Sequence, residues 1–176
     1  MRVTRVLLLF ITVTACAPSP SGRSYGGGSS ASSSSSGGGG GSAAPDAAEV
    51  ALAERILALT NNHRRAAGLP NLTWCARCAD VAYAHARDMA DRGYFDHVNP
   101  EGASAFDRLD NAGVAFTAAG ENIAQGYSTP EDAMAAWMGS DGHRANILSP
   151  DFTELGVGVR SGATPGPWWT QVFRHP

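Results

Sequence analysis

The chain contains no lysine; all 13 of its basic residues are arginine. From residue 46 to 176, ten arginines stand against all 16 acids, a net charge of −6 with histidine neutral. Binding to a phosphate backbone needs a basic face, so this balance disfavours a nucleic-acid partner. Long apolar runs are missing too, and a bilayer-spanning helix takes about 20 such residues. Cysteine is scarce, with only Cys16, Cys75 and Cys78. A nucleophile elbow of the G-x-S-x-G kind is absent: Ser140, in "GSDG", lacks the flanking pattern, so nothing supports serine hydrolysis.

What is present falls into three parts. In residues 1–16, Arg2 and Arg5 precede the apolar run Val6–Val13, which reads as a signal peptide. The run ends in Val13-Thr14-Ala15-Cys16, which resembles the lipobox of bacterial lipoproteins, where the cysteine is lipidated and becomes the mature N-terminus. The alternative is an ordinary cleaved signal with an incidental cysteine. Lipidation at Cys16 implies a membrane partner through an N-terminal anchor in the cell envelope; without it the protein is secreted. Residues 17–45 are dominated by glycine and serine, with almost nothing to bury. They are expected to form a disordered tether, spanning about 30 Å root-mean-square as a flexible coil. Residues 46–176, about 130 in number, suffice for one domain around one core.

Within that domain the periodicity predicts helices first. "DAAEVALAERILALTNNHRRA" places Val50, Ala53, Ile56, Leu57 and Leu59 near helical spacing, with Asp46 and Glu49 in the first turn. A second helix is expected over about 75–92, with a small face of Ala79, Ala82, Ala86 and Ala90, stopped by Gly93. A short helix over about 104–112 and a short strand over 120–127 follow. Another helix opens at Thr129 as N-cap with Pro130 in the first helical position. The period then changes to two: Leu155, Val157 and Val159 alternate with Gly156 and Gly158, and "PWWTQVF" follows a Gly/Pro loop. Helices ahead of a terminal antiparallel hairpin give an α+β fold or a helix–sheet–helix sandwich. Trp74 and Trp137 read as core, whereas alternation turns only one of Trp168 and Trp169 inward and leaves the other to line a groove.

Cys75 and Cys78 form a C-x-x-C at the start of the second helix. Outside the cytoplasm a local disulfide is the simplest reading, with free thiols or a redox or metal site as alternatives. A thioredoxin-like arrangement needs a preceding strand, and the residues before the motif, "GLPNLT", read as a turn.

The motifs "NNHRRAAGLPNLTW", "AHARDMADRGYFDHVNPEG", "FDRLDNAG", "GENIAQGY", "AWMGSDGHRANIL", "FTELGVGV" and "WWTQVF" occur in that order. Together they resemble the bacterial branch of the CAP superfamily, which takes in cysteine-rich secretory proteins, antigen 5 and pathogenesis-related proteins. The resemblance covers about residues 50–174 and implies a three-layer α-β-α sandwich with a C-terminal antiparallel hairpin, exported from the cell. It further implies a central cleft with two histidines and two acids. His97 in "YFDHVNP" and His143 in "DGHRANIL" match the histidines, and Glu121 in "GEN" the first acid. The second acid is replaced by Ser140, and the adjacent Asp141 is turned about 100° further round a helix. His143 is expected on the turn after Trp137, facing His97.

Two neutral imidazoles and a carboxylate suit Zn²⁺ with water completing an open site. Glu121 can instead orient an imidazole or act as a general base, and a hydrogen-bonded polar cluster without a metal is the third reading. His63 reads as a surface charge near a helix end, His85 as a satisfied core or interface histidine, and His175 as part of the tail. The function expected is that of a cell-surface binding module for a small amphiphile, an envelope component or a partner protein. The rival is a metal-dependent hydrolase using His97, His143 and Glu121.

Overall fold

The computed structural model describes residues 44–176. The stretch read as a signal peptide, Cys16 and nearly all of the expected tether lie outside the described residues. Helix α1 (Ala47–Ala66) starts at a capping box: the Asp46 carboxylate accepts the Glu49 amide at 2.8 Å, and Glu49 reaches back to the Asp46 amide at 3.2 Å. Then come β1 (Thr73–Trp74), α2 (Ala76–Arg92), α3 (Ala105–Asn111), β2 (Ala118–Gln125), α4 (Pro130–Gly139), α5 (Asp141–Ile147), β3 (Glu154–Arg160) and β4 (Trp168–His175). Helix α2 ends where Gly93 takes φ 69°, a left-handed cap that a side chain would strain.

The four strands lie in the order β1-β3-β4-β2. β1 runs parallel to β3, while β4 is antiparallel to both β3 and β2, so the last strand in the chain occupies the interior of the sheet. Alternation on β3 decides how the layers stack. Leu155, Val157 and Val159 pack with Ala53 and Ile56 of α1, Met134 and Trp137 of α4, and Ile147 of α5. Gly156 and Gly158 point the other way, onto α2. A Cβ on Gly156 would lie 2.1 Å from the Ala79 amide nitrogen, and one on Gly158 would lie 2.1 Å from that of Tyr83. α2 therefore rests on bare backbone, and its buried Ala82 and Ala86 keep that approach short. The result is an α+β, three-layer sandwich: α2 and α3 on one face, the sheet, then α1, α4 and α5 on the other.

Covering both faces explains where the tryptophans go. Trp168 and Trp169 are both fully buried, one on each side of β4, so neither lines a groove. Trp74 is instead 40% exposed, on the two-residue β1 at the sheet edge, and Val50 on α1 is 40% exposed beside it. The segment read as a turn does begin with one at Gly68, but it runs into this strand: the Thr73 and Cys75 amides donate to the carbonyls of Thr153 and Leu155. His143 sits not on a turn but inside the seven-residue helix α5. That helix lacks a side-chain cap at its start. Its end is held by Arg64 of α1, fully buried, whose guanidinium donates to the carbonyls of Ile147 at 3.0 Å, Ser149 at 2.7 Å and Phe152 at 3.3 Å.

Candidate functional site

β2 is the edge strand opposite β1, and its alternation divides the site. Glu121 turns toward the α2 face and is buried there. Its Oε1 accepts from Nδ1 of His97 at 2.9 Å, and its Oε2 accepts from Nη2 of Arg108 at 2.6 Å. His97 belongs to the loop between α2 and α3. Arg108, on α3, fixes that loop by donating to the carbonyls of His97 at 3.0 Å and Ala103 at 2.9 Å. Nε2 of His85, on α2, lies 3.9 Å from Glu121 Oε1 and 3.0 Å from the Asp96 carbonyl.

Burial works to raise the Glu121 pKa. The His97 hydrogen bond, the Arg108 guanidinium and His85 outweigh it, and the carboxyl stays below its ordinary value. Burial lowers the His85 pKa against the pull of Glu121, which keeps that ring neutral. Facing a carboxylate, His97 Nδ1 acts as the donor to Glu121, and Nε2 is the ring nitrogen left over for another partner.

His143 reaches the site from the other side of β2. It is only 2% exposed, and both ring nitrogens are buried without a hydrogen-bond partner. Burial, and to a lesser extent repulsion from His97 whenever that ring is protonated, pushes its pKa down to about 4, so the His143 ring is neutral at physiological pH. Ser140 forms the junction between α4 and α5, and Asp141 is exposed and bonded to Arg144 at 2.5 Å, so neither brings a second carboxylate.

His97 and Glu121 are therefore in direct contact, with His143 set apart from them. Among the described residues, the one group of three candidate ligands whose atoms lie within 4.8 Å of one another is Cys75, Cys78 and Glu154. Its two sulfurs are joined at 2.07 Å in a disulfide. In donor chemistry the imidazoles suit zinc, since neither ring nitrogen of His143 has a hydrogen-bond partner, but His97, Glu121 and His143 do not gather their ligand atoms within 4.8 Å of one another. Glu121 does not fit as a direct ligand, since both its oxygens are engaged and Arg108 already neutralises it. It fits behind His97, as a carboxylate that orients a ligating ring.

Sequence reasoning did not place Arg108 or His85 at this site, nor the buried amides around it. Asn122 Nδ2 donates to the His143 carbonyl at 3.2 Å and to Gln171 Oε1 at 3.0 Å. Asn146 Nδ2 donates to the Glu121 carbonyl at 3.2 Å and to Asn122 Oδ1 at 2.9 Å. Gln171 in turn donates to Thr60 at 2.9 Å. All of these residues stand in or next to the motif stretches quoted above, and only fold geometry shows that they meet. A surface cavity of about 420 Å³ opens beside the cluster, lined by His85, Asp88, Arg92, Glu101 and Arg108 among others.

The three-layer sandwich is shared with a solved SCP-domain protein. Residues 57–173 match the CAP, or cysteine-rich secretory protein, family, and the chain belongs to that family. It is 44% identical over 124 residues to the protein YkwD of Bacillus subtilis, covering 70% of this chain and 47% of that one. It is 44% identical over 106 residues to the Bacillus subtilis membrane protein YlbC, covering 60% and 31%. The chain thus spans less than half the length of these curated relatives. Among solved structures, an extracellular SCP-domain protein from Bacillus anthracis superimposes with a TM-score of 0.69 at 41% identity, over 73% of this chain and 41% of that one. An outer surface protein of Borrelia burgdorferi shares the fold, with a TM-score of 0.65 at 16% identity over 69% and 90%.

Proposed function

We propose that the protein is an extracytoplasmic binding module, held at the cell envelope by a lipid on Cys16, that captures its ligand at the imidazoles of His143 and His97. The observation that carries this reading is His143, a buried neutral ring with neither nitrogen partnered. Leaving a buried polar group unpaired costs about 1–3 kcal/mol. A ligand that completes its bonding removes that cost. The polar head of a small amphiphile or envelope component, or a segment of a partner protein, would meet this need. The extracellular and membrane descriptions of the Bacillus relatives support a place outside the cytoplasm.

Zn²⁺ is the cation that suits these donors. His97 and His143 would hold it, and it would supply a Lewis-acidic anchor for a ligand oxygen. Hydrolysis is the weaker use of the same groups. A general base works best with a pKa near the working pH, and Glu121 and His143 are both displaced below it.

Calorimetry with Zn²⁺ at neutral pH, on the wild type, His97→Ala and His143→Ala, tests the cleft. Binding weaker than at a closed structural zinc site is expected in the wild type, and its loss in both variants. Equal binding by all three, or none by any, removes the cation. For the anchor, Cys16→Ser should move the protein out of the membrane fraction; a wild type already soluble counts against it.

A further inference from the structure

His143 makes no side-chain hydrogen bond, so its ring is aimed only by its backbone and its packing. Its helix is two turns long, shorter than helices that hold together by themselves, and it starts without a side-chain cap. Something outside α5 must therefore set where His143 points. Arg64 holds the carbonyls at the far end of the helix and beyond, four or more residues from the histidine. At the histidine itself the contacts are amides, and they are reciprocal. Asn122, the residue after Glu121 on β2, grips the backbone carbonyl of His143. Asn146, one turn after His143 on α5, grips the backbone carbonyl of Glu121. The two side chains are also bonded to each other at 2.9 Å, and both residues are buried.

We infer that Asn122 and Asn146 form a two-way clamp that sets the position of His143 relative to Glu121 and His97, making them positioning residues of the proposed binding site. This rests on the binding reading above for its ligand, but the geometry stands without it. Alternation along β2 sends Glu121 to the α2 face and Asn122 to the α5 face. One dipeptide thus supplies the acid on one side of the edge strand and the grip on the imidazole-bearing helix on the other. The Asn146 bond closes the loop, so neither element can slide along the other without breaking buried hydrogen bonds. Carboxamides suit the task because each offers two donors and an acceptor: the Asn122 oxygen takes the Asn146 donor while its nitrogen serves His143 and Gln171. Asparagine to aspartate at 122 keeps the shape but turns a carboxylate oxygen toward two oxygen acceptors.

The test compares the clamp with the far end of the same polar ladder. Asn122→Ala, Asn122→Asp and Asn146→Ala cut the clamp. Thr60→Val removes the acceptor of Gln171 and leaves the clamp bonds in place. Each variant is measured for melting temperature, for the ring resonances of His143 in the metal-free protein at neutral pH, and for Zn²⁺ binding by calorimetry. All four are expected to melt lower than the wild type. Only the clamp variants should shift the His143 ring resonances and weaken Zn²⁺ binding about 10–100-fold, the range seen when outer-shell partners of a metal site are lost. Clamp variants that melt lower yet keep the wild-type ring resonances would reduce Asn122 and Asn146 to structural residues, as would Thr60→Val shifting those resonances equally. Where a clamp variant fails to fold, the other two and Thr60→Val decide. A wild type that binds no Zn²⁺ overturns the cation at the site, while the ring resonances still judge the clamp.

Discussion

His143 should make the fold acid-sensitive in a window set by one ring. In the unfolded chain it takes a proton near its ordinary value of 6.5; in the folded protein it resists until about pH 4. Between those values the unfolded state binds the proton and the folded state does not, so stability falls as pH drops through the window and levels off below it. The gap between the two values corresponds to about 3 kcal/mol, since each pH unit is worth roughly 1.4 kcal/mol. Replacing the ring with phenylalanine removes the titration and keeps a planar ring in the site. Stability from chemical denaturation, measured with chelator present at several values between pH 7 and 4, should give a wild-type curve falling about 3 kcal/mol further than that of His143→Phe. His85, whose pKa burial also lowers, and the carboxylates around the site titrate in both proteins and cancel in the comparison. Parallel curves for the two proteins would refute the reasoning.

Two further outcomes are expected. Glu121→Gln leaves the mostly covered Arg108 guanidinium without its buried carboxylate and should cost about 3 kcal/mol in equilibrium denaturation, with a cost below about 1 kcal/mol contradicting the ion pair. Gly158→Ala drives a Cβ into the α2 backbone and should cost about 3 kcal/mol or more, whereas Gly139→Ala, with nothing within 4 Å of the added carbon, should be neutral or stabilising by up to about 1 kcal/mol; melting temperatures of the pair decide.

The helices and the hairpin were legible because each carries its period and its punctuation. Thr129 marks a start that the structure uses as a cap and Gly93 marks a stop, while Asp46, read as part of the first turn, and Ser104 prove to be caps themselves. β1 was hidden because two residues cannot show a period of two, and its pairing partner lies about 80 positions away. α5 was hidden because Gly142 and the Ser140–Asp141 pair read as a break. What makes it helical is an arginine from α1 and amides from β2, which local sequence does not announce. For the same reason the pairing of Arg108 with Glu121 could not be read from the chain: nothing in "FDRLDNAG" says that its arginine faces an acid 13 residues later and not the acids beside it. Both indoles of Trp168 and Trp169 are inside because helices cover both faces of β4, a tertiary fact that alternation alone misassigns.

The place of β4 has a consequence for assembly. Residues 168–175 follow the other three strands along the chain, yet they bridge β3 and β2, and among the described residues β2 pairs with no other strand. Until they arrive, the sheet exists only as separate pieces, and the strand carrying Glu121 has nothing to zip onto. A nascent chain therefore cannot complete the native sheet from the strands made earlier, and the sheet stays open until residues 168–175 are available. Deleting residues 168–175 would remove the keystone and not merely trim an edge.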